Sequence, residues 1–324
     1  MKRILILSIF LFSLILLGIV YSTRFYSFEK ETEDLSSEMP LETTTTTKEE
    51  TVLETKISFS ALEVYQGDTL VIVAENVPDQ AVVRGEFDSQ DLEFFSIEGK
   101  DKLFSLLGID AKKSPGEYIL SIFLSGELML EEIIEVKKSD FYITQIVITP
   151  ELEEKGLTAD NISKNISTND GVIVYEIVNK YNPEIYFNKS FVYPLDELIN
   201  VGAFGNIRKD NGITIQHLGV DLDAEQGTPI YAINDGQVVF AGELTVYGKT
   251  IIIDHGLGIY SLYLHLSEFK ASKGLMVERG EIIGLTGNTG WSTGPHLHLS
   301  VKANKASVDP LKFIEGFDII LKEE

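Results

Sequence analysis

Gly290-Trp291-Ser292-Thr293-Gly294-Pro295-His296-Leu297-His298-Leu299-Ser300-Val301 is the stretch on which the fold turns. Its first half reads as a tight loop and its second half as a strand. Alternate residues of a strand face the same side, so His296 and His298 project together while Leu297 packs the other way. Upstream, Tyr260-Ser261-Leu262-Tyr263-Leu264-His265-Leu266 reads as another strand, ending at a histidine. Further short β segments are expected at Pro229–Ile233, Gly236–Ala241, Thr250–Asp254 and Ile282–Thr286. Glycines such as Gly227, Gly248, Gly256, Gly280 and Gly290 fall between them, and long helical periodicity is absent. Residues 191–324 are therefore expected to form an antiparallel all-β domain. It starts near Phe191-Val192-Tyr193-Pro194 and ends in a short segment from Asp309-Pro310-Leu311 packed upon it.

Before this domain, residues 139–190 read as a mixed connector, with a strand expected in Ile143–Thr149. Val172, Val174, Tyr175 and Val178 give a weak helical signal across Asp170–Tyr181. Two Asn-x-Ser tripeptides, at Asn161 and Asn165, carry no weight because the pattern is common by chance. Residues 56–138 hold seven candidate strands: Lys56–Phe59, Thr69–Ala74, Val82–Phe87, Leu92–Ile97, Leu103–Gly108, Tyr118–Leu124 and Leu128–Val136. That number and spacing suggest an immunoglobulin-like sandwich. It contains no titratable cluster, so a spacer or folding module is expected, with wall binding as the other role. Residues 25–55 form a polar linker with five consecutive threonines, Thr43–Thr47. Residues 1–24 carry Lys2 and Arg3 ahead of the apolar run Ile4–Val20. No small-x-small cleavage site follows the run, so an uncleaved signal anchor is expected, with a cleaved secretory signal as the alternative. Either one puts the rest of the chain outside the cytoplasm, and the overall fold class is all-β.

The chain of 324 residues is 44% hydrophobic and carries a net charge of −23. Such acidity argues against nucleic acid as a partner, because few cations are there to displace counterions from a phosphate backbone. The absence of cysteine excludes disulfides, thiolate metal sites and a cysteine nucleophile.

All five histidines lie between residues 217 and 298. His217-Leu218-Gly219-Val220-Asp221 is read as a loop entering a strand, since Gly219 and Val220 disfavour a helix. A turn there would bring His217 and Asp221 together. One carboxylate with two neutral imidazoles leaves a bound zinc net positive, which helps it acidify a water. If the His265 strand neighbours the His296 strand, imidazoles that do not hold the metal flank that water. One can accept its proton and the other can stabilise an oxyanion, and the sequence leaves open which does which. His255, in Asp254-His255-Gly256, is read as structural.

Taken in order, these motifs resemble the lysostaphin/LytM-type zinc metallopeptidases, the murein endopeptidases. The resemblance rests on His217 and Asp221, on Tyr263-Leu264-His265-Leu266, and on the Gly290–Pro295 loop before His296-Leu297-His298. Phe204-Gly205-Asn206-Ile207-Arg208 resembles the start of the family's domain, and the match covers roughly residues 191–313. It implies one zinc per chain held by His217, Asp221 and His298. It implies that His265 and His296 act on the catalytic water and the transition state. The implied substrate is a peptide stem or crosslink of bacterial peptidoglycan. The sandwich resembles N-terminal β domains of some members much more loosely. Two departures stand out: Ser300 where an acidic residue is often found, and Gly202-Ala203 in place of a commoner serine. The expected protein is a membrane-anchored, extracytoplasmic zinc endopeptidase of the bacterial envelope. The rival is a catalytically silent wall-binding scaffold that activates another hydrolase, and the retained ligands argue against it.

Overall fold

The computed structural model describes residues 54–97 and 99–322. The expected signal anchor and the linker up to residue 53 lie outside the described residues. Among the described residues, no helix is long and apolar enough to cross a membrane.

The first part is built from β1 (Lys56–Phe59), β2 (Glu63–Tyr65), β3 (Thr69–Glu75), β4 (Val83–Phe87), β5 (Gln90–Glu93), β6 (Phe95–Ser96), β7 (Lys102–Gly108), β8 (Gly116–Leu124) and β9 (Glu127–Lys137). They form a four-stranded sheet, β1-β3-β7-β6, and a five-stranded sheet, β2-β9-β8-β4-β5. Leu70, Ile72, Leu107 and Ile109 from the first sheet meet Leu120, Ile122 and Ile134 from the second in one core. All seven expected strands are present in some form, but Leu92–Ile97 is not one strand. It breaks at Phe94, with β5 pairing β4 in one sheet and β6 pairing β7 in the other. The three-residue β2 has no counterpart among the expected segments.

The two sheets differ in how their faces are covered. In β8 and β9 burial alternates, so Ile119 and Ile133 remain exposed on the outer surface. β3 instead is an unbroken apolar run, Leu70-Val71-Ile72-Val73-Ala74, buried throughout. Such runs mark strands covered on both faces. Here Val71, Val73, Phe104 and Leu106 turn away from the sandwich core and join Phe187, Phe191, Phe313 and Phe317 in the core of the C-terminal part. The first part is thus welded to the second and does not stand apart as a spacer would. Hydrogen bonds from Asn304 Nδ2 to Leu106 O (2.9 Å) and from Asp309 N to Gly67 O (2.8 Å) tie the joint. Gly108 allows the close approach, since a Cβ there would lie 2.6 Å from Ala303 O.

The connector holds β10 (Ile143–Gln145), α1 (Pro150–Glu154), α2 (Ala159–Thr168) and α3 (Asp170–Val178). The helical signal after Asp170 yields α3, whereas α2 is an additional helix, capped by the Thr158 side chain accepting from Asn161 N. Buried Asp170 pins α3 by accepting from Val246 N (2.6 Å).

The C-terminal part contains β11 (Asn200–Gly202), β12 (Ile207–Asp210), β13 (Ile213–Gln216), β14 (Val220–Asp223), β15 (Pro229–Tyr231), β16 (Gly236–Leu244), β17 (Gly248–Gly256) and β18 (Ile259–Leu266). It continues with β19 (Glu268–Phe269), β20 (Met276–Val277), β21 (Ile282–Leu285), β22 (His296–Ala303), β23 (Ala306–Val308) and helix α4 (Pro310–Lys322). The main sheet runs β11-β14-β22-β18-β17-β16-β20, with β23 beside β22. Its pairings are antiparallel, as expected. The connector strand β10 adds a parallel pairing to β12 in a separate three-stranded sheet. On β22, Leu297, Leu299, Val301 and Ala303 enter the core. His296, His298, Ser300 and Lys302 occupy the other face by strand alternation. Val174 and Val178 of α3 pack with Tyr260, Leu262 and Leu264 of β18.

Candidate metal centre and active site

The register of the main sheet assembles the site. β14 pairs β22 with Asp221 opposite His298, and β18 pairs β22 with Leu264 opposite His298. His217 sits in the short loop between β13 and β14, as the motif suggested, and its side chain is buried. Gly219 is required there by proximity, because a Cβ would lie 2.5 Å from His298 Nε2 and 2.4 Å from Leu299 O.

Three donor atoms converge. His217 Nε2, His298 Nδ1 and Asp221 Oδ1 are each 2.9 Å from the other two. The opposite ring nitrogens fix the protons. His217 Nδ1 faces the Ala203 carbonyl at 2.9 Å and must carry the hydrogen, which leaves Nε2 as a lone pair. His298 Nε2 lies 2.8 Å from Ser300 Oγ, and when it donates there, Nδ1 is a lone pair too. Two imidazole lone pairs and a carboxylate oxygen pointed at one spot suit a shared cation, and this donor set fits zinc. Asp221 Oδ2 is taken by Arg208 Nη2 at 2.9 Å, so Arg208 turns the carboxylate to present Oδ1 inward. The Arg208 guanidinium also lies over the Trp291 ring, 5.4 Å from its centroid.

His265 and His296 stand beside this trio with ring centroids 5.0 Å apart. His265 Nδ1–H donates to Thr289 O (2.8 Å), and Nε2 has no hydrogen-bond partner among the described residues. The His265 backbone has φ of +65°, a left-handed conformation that a non-glycine residue adopts only when its surroundings hold it. His296 Nδ1–H donates to Gly294 O (2.8 Å), and Nε2 lies 3.5 Å from Asp221 Oδ1.

Burial and charge separate these groups. Burial opposes ionisation of Asp221, but its close contacts with His217, His296 and His298 outweigh it and hold the carboxylate far below its ordinary range. Burial pushes His298 down to about 4, against the pull of Asp221. His265 is held well below its ordinary value by burial and by the neighbouring His296 and His298, so it is neutral. For His296 burial acts downward, but the hydrogen bond and charge of Asp221 win and raise it.

The site opens into a cavity of about 760 Å³. Leu262 and Leu264 line it beside the metal centre, and the Trp291–Pro295 loop forms one wall. Ser163, Ile166 and Ser167 of α2 form another, and Lys302 and Lys112 also line it. The fifth histidine is elsewhere. His255 is fully buried, with Nδ1 donating to Asp235 O (2.7 Å) and Nε2 at 2.7 Å from Ser261 Oγ. All four other histidines and Asp221 are brought together. Arg208 was visible in the sequence but carried no assigned role; the carboxylate it turns lies thirteen residues away.

Residues 215–310 match the profile of peptidase family M23. DD-carboxypeptidase/endopeptidase Mpg of Neisseria meningitidis serogroup B is 45% identical over 95 residues, covering 29% of this chain and 22% of that protein. Peptidoglycan DD-endopeptidase ShyA of Vibrio cholerae is 37% identical over 123 residues, covering 37% of this chain and 29% of its own. The chain thus spans less than a third of the length of these curated relatives. A crystal structure of a Pseudomonas aeruginosa protein assigned to peptidase M23 aligns with 75% of this chain and 92% of its own, at 26% identity and a TM-score of 0.52. Profile match, similar relatives and the His217, Asp221 and His298 donor set agree that residues 215–310 carry a peptidase M23 domain.

Proposed function

We propose that the chain is a zinc-dependent endopeptidase that hydrolyses peptide stems or crosslinks of peptidoglycan. The observation that carries this reading is the convergence of three lone-pair donors beside two further imidazoles on one wall of an open groove. Relatives named as peptidoglycan endopeptidases support the substrate class. His217, Asp221 and His298 hold the metal, and Arg208 keeps Asp221 in position. Zinc bound there would supply the Lewis acidity to lower the pKa of a water and polarise the scissile carbonyl. His265 works as general base: its Nδ1 proton is committed to Thr289, so Nε2 is the atom that takes up a proton. His296, whose charged form Asp221 favours, presents Nε2–H to the developing oxyanion. The apolar run Ile4–Val20 behind Lys2 and Arg3 supports anchoring in the cytoplasmic membrane, with the groove on the wall side.

The test is digestion of purified wall by the protein beyond Thr55, with and without chelator. New free amino groups are expected, abolished by chelation and by His298→Ala. A folded, zinc-loaded protein that releases none would instead support a silent scaffold.

A further inference from the structure

Lys302 stands out in the groove. It follows His298 and Ser300 on the same face of β22 and lines the same cavity as the metal centre. It lies four residue steps beyond His298, about 13 Å along the strand. Its ammonium donates to Ser307 Oγ, and among the described residues no carboxylate comes within ion-pairing distance of it. The nearby carboxylate, Asp110, is turned to the backbone: Oδ1 accepts from Lys112 N (2.8 Å) and Oδ2 from Ser307 N (2.8 Å). Burial lowers the Lys302 pKa to about 8, with Lys112 adding to the effect and Asp110 opposing it. A part-buried ammonium without a paired anion is costly to keep in a fold. Lys112, an exposed side chain from the turn after β7, lines the same cavity.

We infer that Lys302, assisted by Lys112, forms a carboxylate-binding subsite of the groove and thereby sets the register of an acidic wall peptide across the metal centre. This rests on the peptidase reading above. An extended peptide rises about 3.3 Å per residue, so the recognised carboxylate lies three to four residues from the bond at the metal. It also gives the N-terminal sheets a part in substrate selection, since Lys112 belongs to them.

The experiment titrates two synthetic stem tetrapeptides into the zinc-loaded full chain by calorimetry, one with a free C-terminal carboxylate and one carrying the carboxamide. Wall digestion is run in parallel. The wild type is expected to bind the carboxylate form roughly tenfold more tightly or better. Lys302→Met removes that preference and raises KM for wall with little change in kcat, and Lys302→Arg restores it. Lys112→Gln, at an exposed position that tolerates change, weakens the preference by a few-fold. Equal affinity of the wild type for both peptides overturns the subsite, whether or not wall is cleaved. A preference that survives Lys302→Met overturns the assignment to Lys302. A wild type that prefers the carboxylate but leaves wall uncut keeps the subsite and overturns the peptidase reading instead.

Discussion

Two buried groups of imidazole in this chain contain the same chemistry and use it oppositely. His255 is fully enclosed, and each ring nitrogen meets a complementary partner, the Asp235 carbonyl and the Ser261 hydroxyl. Ser261 Oγ in turn lies 3.0 Å from the Tyr263 hydroxyl, which accepts from Ile233 N. That network is closed. At the groove, His217 and His298 are almost as deeply buried, yet their inward nitrogens meet only each other and Asp221. Burial therefore does not separate His255 from the histidines of the groove. The difference lies in lone pairs left without a hydrogen, which a fold keeps only where something else is to occupy them.

The widest separation between the two groups is expected on removing a ligand. Asp221→Ala should lose stoichiometric zinc by elemental analysis and cut wall digestion by about a thousandfold or more, because the cation loses its one anionic donor. His265→Ala should reduce turnover by roughly 10²–10⁴-fold and keep its zinc. Equal zinc loss in both variants would break the division between holding the metal and moving the proton.

Smaller is the effect of acid on the closed network. Burial pushes His255 down to about 4 from an unfolded value of 6.5. The unfolded chain therefore binds a proton between these values that the folded chain refuses. The stability is complete above about pH 6.5 and is lost as pH falls towards 4, by up to roughly 3 kcal/mol. Urea denaturation of the metal-free protein at pH 7.5 and 4.5 should show this loss, reduced in His255→Gln. The same slope in both proteins would place the acid sensitivity elsewhere. Smallest is Ser300→Ala, which removes the partner of His298 Nε2 and should weaken zinc binding by about tenfold, read by chelator competition. Unchanged affinity would make the hydroxyl incidental.

The site was readable from the sequence because strand alternation and loop geometry are local rules. His296 and His298 share a face by periodicity alone, and the glycine of His217-Leu218-Gly219-Val220-Asp221 already argued for a turn. The groove's walls were not readable. α2 shows only Ile162 and Ile166 at helical spacing, and its clearest signal is the Thr158 cap. Arg208 reaches from the β10-β12-β13 sheet to Asp221 in the main sheet, a contact no spacing encodes. The short β2 holds too few residues for a periodic pattern. Leu92-Glu93-Phe94-Phe95-Ser96-Ile97 reads as one strand, and only the adjacent Phe94 and Phe95, which break its alternation, mark the switch between sheets. In contrast, the unbroken Leu70–Ala74 run did carry the news of two-sided cover, in a strand whose lack of alternation signals more than strand character alone.

That run bears on how the chain can be trimmed. Here a cut near residue 139 would strip Val71, Val73, Phe104 and Leu106 from the phenylalanines they cover, leaving Phe187, Phe191, Phe313 and Phe317 as a sticky patch on the fragment. The workable scissor point lies ahead of Lys56, and the smallest portable piece runs unbroken from that strand through helix α4.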